Sequence, residues 1–242
     1  SPDIRKVSCT LPIFSARWAR PCMNFPAERV ERRGAGYSRP APDHEYVEGF
    51  ATNLYHDRNF DSPAAKILPG EYYVTQKGMV LVTVLGSCVA ACIRDTETGI
   101  GGMNHFMLPD EGGKEVVSSS ARYGTYAMEM LINHLLKHGA RRNRLEAKVF
   151  GGGAVLASLS SSTVGTRNAE FVLQYLQTEK IPVVAKDLLD AYPRKIYFFP
   201  NSGRVLVRKL HRVHNDTLYS REKEYRSRLE HSEVTGDIEL FT

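Results

Sequence analysis

The segment TVLGSCVAACIRD, residues 83–95, decides how the surrounding chain is built. Two apolar, β-branched runs typical of buried strands flank a break at Gly86 and Ser87, and Cys88 follows that break at once. Glycine lets the backbone turn sharply and present the next side chains at the end of a strand. The segment therefore predicts two strands joined by a turn that carries Cys88. It leaves open whether Cys88 is a core residue, a metal ligand or a nucleophile.

The segments on either side predict a mixed α/β fold. Residues 71–75 and 79–85 are expected to form one hairpin, and residues 89–95 and 99–108 a second, joined by the turn at 96–99. Further strands are expected in three places: 145–150, 181–188 and the hairpin 195–200/204–210. Helical periodicity predicts one helix that is capped by Ser119 or Ser120 and stopped by Gly139, and another over 167–179. The sum is a single domain of about seven strands and at least two helices, with loose ends.

Composition divides the chain into three parts. Residues 1–44 hold eight Arg or Lys and four acidic residues, so this Pro- and Gly-containing leader accounts for most of the formal net charge of +5 and is expected to be disordered. The folded domain is expected over 64–212, and residues 213–242 are predicted to be a charged tail with at most a short exposed helix. Because the domain itself is nearly neutral, nucleic-acid binding is not expected.

The expected cellular compartment follows from features that the sequence lacks. No apolar run approaches the roughly 18 residues of a membrane span, and no secretory signal pattern is visible. The four cysteines are too few for a typical secreted disulfide scaffold of this length. We expect reduced thiols, a cytoplasmic location and no membrane insertion.

His105 is the best partner for Cys88. A thiol needs a nearby base to become a nucleophile, and residues 89 and 105 are symmetric about a turn centred near residue 97. Backbone amides of residues 87–89 are candidates to stabilise an oxyanion. A third group usually orients such a base, and the local options are Thr83, Ser87 and Asn104.

Two structural interpretations compete with catalysis. An isolated cysteine in an apolar run is more often a core residue, and Cys92 is interpreted that way. A zinc site would combine Cys88, Cys92 and His105 with His211 or His214, but residues four apart on a strand are separated by about 13 Å. The run Gly151–Gly153 lacks the Gly-Lys-Ser/Thr of a phosphate loop and indicates a tight turn or a close backbone approach instead.

Several motifs together resemble the CheD family of bacterial chemotaxis proteins. The upstream segment AAKILPGEYYVT (64–75) resembles the lead-in of proteobacterial members. The motifs follow one another in the family's order: LGSCVAACIRD (85–95), GGMNHFMLP (101–109), RYGTYAMEMLIN (122–133), LEAKVFGGG (145–153), RNAEFVLQYL (167–176), IPVVAKDL (181–188) and YPRKIYFFPNSGRVLVRKL (192–210). The resemblance covers roughly residues 64–210 and neither end of the chain.

The resemblance implies a fold and a reaction. The expected fold is an α/β sandwich whose sheets are flanked by helices, related to bacterial toxin deamidases. The expected activity is hydrolysis of glutamine side chains on methyl-accepting chemotaxis receptors to glutamate and ammonia, without metal or cofactor. The resemblance assigns catalysis to Cys88, His105 and Thr83, with Gly86 and Ser87 near the oxyanion. Some members also bind the phosphatase CheC.

Two rival functions stay open at this point. One is another cysteine hydrolase, acting on a different amide or joining glutamines to amines. The other is a non-catalytic adaptor that binds receptors or CheC. The joint presence of Cys88, His105 and Thr83 favours an enzyme, because a pure binding protein has no need of all three.

Overall fold

The computed structural model describes residues 5–6, 50–109, 116–154, 159–210 and 216–231. The predicted leader, residues 1–44, lies outside this part of the chain except for Arg5–Lys6, which pair with the strand at 204–209. Regular structure begins near residue 50, earlier than the predicted boundary at 64. The two additional strands there were missed because NLYHD and SPAAK lack a buried apolar alternation.

The larger sheet is assembled from distant parts of the chain. Its strands lie in this order: β1 (Arg5–Lys6), β11 (Arg204–Lys209), β10 (Arg194–Phe199), β5 (Val80–Leu85), β3 (Ser62–Lys66) and β2 (Asn53–Asp57). All neighbours are antiparallel except β3 and β5. The predicted hairpin of β10 and β11 is confirmed.

The smaller sheet contains the strand that follows Cys88. Its strands lie in this order: β4 (Tyr72–Thr75), β7 (Gly101–Asn104), β6 (Val89–Asp95), β8 (Leu145–Gly151) and β9 (Val183–Leu188). The predicted pairing of β6 with β7 is confirmed, with Cys92 opposite Met103. The predicted hairpin of 71–75 with 79–85 is wrong, because β4 pairs with β7 while β5 pairs with β10 and β3 in the other sheet.

The two sheets face each other across one core. Alternate side chains of each strand point to the same face, so each sheet contributes every second residue. The shared cluster includes these side chains: Leu81, Leu85, Ile196 and Phe198 from the larger sheet, and Ala90, Cys92, Met103 and Phe150 from the smaller. The strand β6 thus turns the face that carries Cys92 towards the larger sheet.

Two helices cover the outer face of the smaller sheet. Helix α1 (Val116–Lys137) contacts β4 and β7, and helix α2 (Leu159–Thr178) contacts β6 and β8. Helix α1 is followed by Gly139 with a φ of +97°, as predicted from the glycine stop. Two mixed sheets with flanking helices confirm the predicted α/β class. Among the described residues, no helix is long and apolar enough to cross a lipid bilayer.

A third helix corrects the prediction for the C-terminal region. Residues 213–242 were predicted to be a charged tail with at most a short exposed helix, yet α3 (Asp216–His231) buries Glu222, Tyr225 and Leu229 against the core. These three positions follow the 3–4 spacing of one helix face. The burial of this helix escaped the sequence prediction because the stripe is only one residue wide and is surrounded by charged side chains.

Candidate active site

The turn that carries Cys88 is held by a glycine run from the end of β8. The Gly153 amide donates to the Gly86 carbonyl at 2.8 Å, and the Gly152 amide donates to the Cys88 carbonyl at 2.7 Å. Gly151 has a φ of +112°, and a Cβ placed there would lie 2.1 Å from the Cys88 carbonyl oxygen. The close backbone approach predicted for this run is therefore confirmed.

Asn168 of α2 fixes the same turn from the other side. Its Nδ2 donates to the Ser87 carbonyl at 2.9 Å, and its Oδ1 accepts from the Leu108 amide at 2.8 Å. The side chain is fully buried. Sequence reasoning missed this role, although an asparagine on the helix face that also carries Val172 and Leu176 is the signal that could have revealed it.

The β6–β7 hairpin brings His105 towards Cys88. Just beyond the paired strands, Val89 and Phe106 exchange backbone hydrogen bonds of 2.9 and 3.0 Å. In an antiparallel pair this register puts Cys88 and His105 on the same face of the sheet. They are diagonal cross-strand neighbours, a relation in which the two Cα atoms are about 7–8 Å apart. Cysteine and histidine side chains can bridge such a separation. The register that brings them to one face differs by one position from the predicted symmetry.

The imidazole of His105 is oriented by Thr83 on β5. The Thr83 hydroxyl lies 2.8 Å from His105 Nδ1 and donates its single proton to the Ile67 carbonyl at 2.8 Å. It can therefore only accept from the ring, which assigns the proton to Nδ1 and leaves the lone pair on Nε2. That Nε2 is buried and has no hydrogen-bond partner among the described residues.

Burial keeps both groups of the pair neutral. It lowers the pKa of His105 from 6.5 to about 4, although the Ile67 carbonyl acts in the opposite direction. Burial also raises the pKa of the Cys88 thiol well above its ordinary value, and the charge of Glu222 raises it further. A neutral thiol and a neutral imidazole with a free lone pair thus lie on one strand face, and general-base activation starts from these two protonation states.

Glu222 of α3 occupies the amides of the turn. Its Oε1 accepts from the Gly86 amide at 2.9 Å and, more weakly, from the Cys88 amide at 3.5 Å. Its Oε2 accepts from the Ser87 hydroxyl at 2.7 Å and the Ser87 amide at 3.2 Å. Consecutive amides that converge on one carboxylate form an anion-binding nest.

The amides that form the nest differ by one residue from those predicted from the sequence. Residues 87–89 were expected to supply the donors, but the Val89 amide is used by the Phe106 carbonyl. The donors are instead the amides of Gly86, Ser87 and Cys88. Glu222 itself was missed, because nothing in the sequence connects position 222 with position 88.

Comparison with known proteins shows which family the chain resembles. The family model described as "CheD chemotactic sensory transduction" matches residues 107–209. A relative from Dechloromonas aromatica (strain RCB), named "Probable chemoreceptor glutamine deamidase CheD 1", is 74% identical over 198 residues, which are 82% of this chain and 98% of that protein. The chain belongs to the CheD family.

Two further CheD relatives are nearly as similar. The protein of Janthinobacterium sp. (strain Marseille) is 64% identical over 81% of this chain and 97% of its own length. That of Herminiimonas arsenicoxydans is 63% identical over the same two shares. Both are named "Probable chemoreceptor glutamine deamidase CheD". The relatives therefore extend well beyond the segment that the family model covers.

The other residues of this CheD chain that the sequence suggested for the site have structural contacts or lie outside the described residues. Asn104 accepts from the Ala91 amide at 2.9 Å and donates to the Ala127 carbonyl at 3.1 Å, so both ends of its amide serve the smaller sheet and α1. Cys92 is buried in the core, as predicted. The described ranges contain no cluster of three or more His, Cys, Asp or Glu that could hold a metal ion. His211 and His214 lie outside those ranges.

Proposed function

We propose that this chain is a protein-glutamine deamidase that converts particular glutamines of methyl-accepting chemotaxis receptors to glutamate and ammonia. The observation that carries the proposal is the Thr83–His105 hydrogen bond, which leaves Nε2 unprotonated on the strand face shared with Cys88. The amides of residues 86–88 add a nest that already binds a carboxylate. The names of the relatives agree with this chemistry.

The first half of the reaction forms a thioester. The Cys88 sulfur attacks the carbon of the glutamine amide while its proton moves to His105 Nε2. The negative charge that develops on the amide oxygen is stabilised by the nest amides. The carbon–nitrogen bond then breaks, and His105 passes the proton to the departing nitrogen, which leaves as ammonia.

The second half releases glutamate. His105 takes a proton from water, the resulting hydroxide adds to the thioester carbon, and the carbon–sulfur bond breaks. The thiolate recovers its proton from His105, which restores the resting pair. Thr83 acts as a positioning residue throughout, because its hydrogen bond keeps Nε2 as the basic nitrogen.

Mass spectrometry of a receptor tests this function. A cytoplasmic receptor fragment from the same organism is incubated with the wild-type chain or with Cys88→Ala, and its glutamines are mapped. We expect a gain of about one dalton at specific glutamines with the wild type only, as the reaction requires. Unchanged glutamines with both proteins, while the fragment still binds the chain, would replace the deamidase with a non-catalytic adaptor.

Location and ends of the chain complete the proposal. A nucleophilic thiol must stay reduced, so we place the chain in the cytoplasm, where the receptor glutamines would also lie. CheC is proposed as a regulatory partner on the family resemblance alone.

Residues 1–44 are proposed to be an appendage, and their removal is expected to leave deamidation of the receptor fragment unchanged.

A further inference from the structure

Helix α3 presents to the site the same side chain that the proposed reaction would produce. The product of glutamine deamidation is a glutamate carboxylate beside the nucleophile, held by the amides that stabilised the oxyanion. Glu222 is such a carboxylate, and it is 3% exposed. It binds the amides of residues 86–88 through both oxygens.

The same helix covers the thiol. Tyr225 and Leu229 belong to the core cluster that contains Cys88, and Cys88 is 0% exposed. The Tyr225 ring lies against Gly70, where a Cβ would be 2.8 Å from it, and its hydroxyl is hydrogen-bonded to that of Tyr123. A glutamine on another protein cannot reach Cys88 while α3 stays in this position.

Glu222 is a buried carboxylate that is held, among the described residues, by hydrogen bonds alone. A buried carboxylate is stabilised best by a cation, and Glu222 forms no ion pair with another described residue. Of the α3 side chains at 220–229, Glu222, Tyr225 and Leu229 are the buried ones, and the others are partly or fully exposed. A helix that buries so narrow a stripe over these positions can be displaced by a competing helix of similar shape.

We infer that α3 is an internal product mimic that closes the active site, and that a substrate helix enters by displacing it, with its glutamine in the place of Glu222. The inference rests on the proposed deamidase function. In this arrangement α3 presents Glu222 from a helix, as a helical substrate would present its glutamine. Removal of the Glu222 charge from the vicinity of Cys88 also favours thiolate formation when the substrate arrives.

Glu222→Gln tests the geometry within the chain. The introduced glutamine would be a substrate in cis, with its amide carbon beside Cys88, so we expect its conversion to glutamate, a gain of about one dalton at position 222. The double variant Glu222→Gln/Cys88→Ala should keep the glutamine. Glu224→Gln is the matched control, because Glu224 is exposed on the same helix and a glutamine there should persist.

Glu222→Ala tests the closure. We expect the kcat/KM for a receptor fragment to rise about five- to hundredfold, the usual range for coupling between two states, while Glu224→Ala leaves it unchanged. Alkylation of Cys88 by iodoacetamide should accelerate in the same variant. Cys92, buried in the core away from the nest, serves as the internal control.

The outcomes separate the inference from the proposed function. If the wild type deamidates receptors but the glutamine introduced at position 222 persists, the product-mimic assignment is overturned and the deamidase stands. If Glu222→Ala accelerates neither alkylation nor receptor turnover, the closure is overturned as well. If no variant modifies any glutamine, the proposed function fails, and faster alkylation of Cys88 in Glu222→Ala would then still establish α3 as a cover.

Discussion

Cys88 and Cys92 are two buried thiols four residues apart, in the same core cluster between the sheets. Burial raises the pKa of both. They differ in what surrounds them: Cys92 lies inside a regular strand, paired with Lys148 and Met103. Cys88 lies at a turn with three convergent amides, a histidine and a carboxylate. Burial alone therefore does not distinguish the proposed nucleophile from a core residue; the polar groups around the turn do.

The largest expected difference between the two thiols is in turnover. Cys88→Ala should reduce deamidation at least about 10⁴-fold, because the covalent route is lost. Cys92→Ala should leave kcat close to wild type and lower the free energy of unfolding by about 1–2 kcal/mol, as expected for a small core cavity. Ammonia release and urea unfolding measure the two effects. A similar loss of turnover in both variants would remove the distinction.

The next effect concerns the orientation of His105. Thr83→Val keeps the shape of the side chain but removes the oxygen that accepts from Nδ1, so the ring loses its preferred tautomer. We expect kcat to fall about 100-fold with little change in KM. Thr83→Ser retains the hydroxyl and should restore most of kcat. Equal losses in the valine and serine variants would show that Thr83 contributes packing rather than orientation.

The backbone at the Cys88 turn should also tolerate an added Cβ less well than the backbone at the end of α1. Gly151→Ala would place a Cβ against the Cys88 carbonyl, whereas at Gly139 the nearest atom is Ile100 Cδ1, 3.9 Å away. Both glycines have positive φ, so each alanine costs about 1–2 kcal/mol of backbone strain. Only Gly151→Ala should lower the melting temperature further and reduce kcat. The melting temperatures of the two variants are measured by thermal unfolding. Their kcat values are measured at a temperature at which both are folded.

The last expected effect is on the pH dependence of stability, and it comes from the titration of His105. Its pKa falls from 6.5 to about 4 on folding, so between these pH values the unfolded chain binds more protons than the folded one. The neutral histidine stabilises the fold fully above about pH 6.5, and this contribution, on the order of 3 kcal/mol, is lost as the pH falls towards 4. His105→Gln should show a shallower decline in urea unfolding over this window. An identical decline would place the titration elsewhere.

The sequence could predict the part of the candidate site that lies on one hairpin. Cys88 and His105 belong to one hairpin, so strand periodicity and the turn at 96–99 sufficed to bring them together. Thr83 could not be chosen over Asn104 in this way, because the choice depends on how the two sheets face each other. The family resemblance, rather than the residue pattern, selected Thr83.

The parts that sequence reasoning missed depend on distant contacts. Glu222 lies 134 residues from the Cys88 amide that it accepts from, and Asn168 lies 81 residues from the Ser87 carbonyl. The false hairpin of 71–75 with 79–85 has the same origin: each segment has strand character, but the partner of each strand is set by the packed sheets. Local periodicity carries no information on such pairings.

The most direct test of the account is to identify which thiol attacks a glutamine. A receptor peptide whose glutamine is replaced by an electrophilic chloroketone analogue is incubated with the native chain. The tryptic peptide 78–94, which contains both Cys88 and Cys92, is then fragmented to locate the adduct. We predict modification of Cys88 alone, and its loss in His105→Gln. Modification of Cys92, or no adduct while receptor glutamines are still deamidated, would contradict the assignment of Cys88 as the nucleophile.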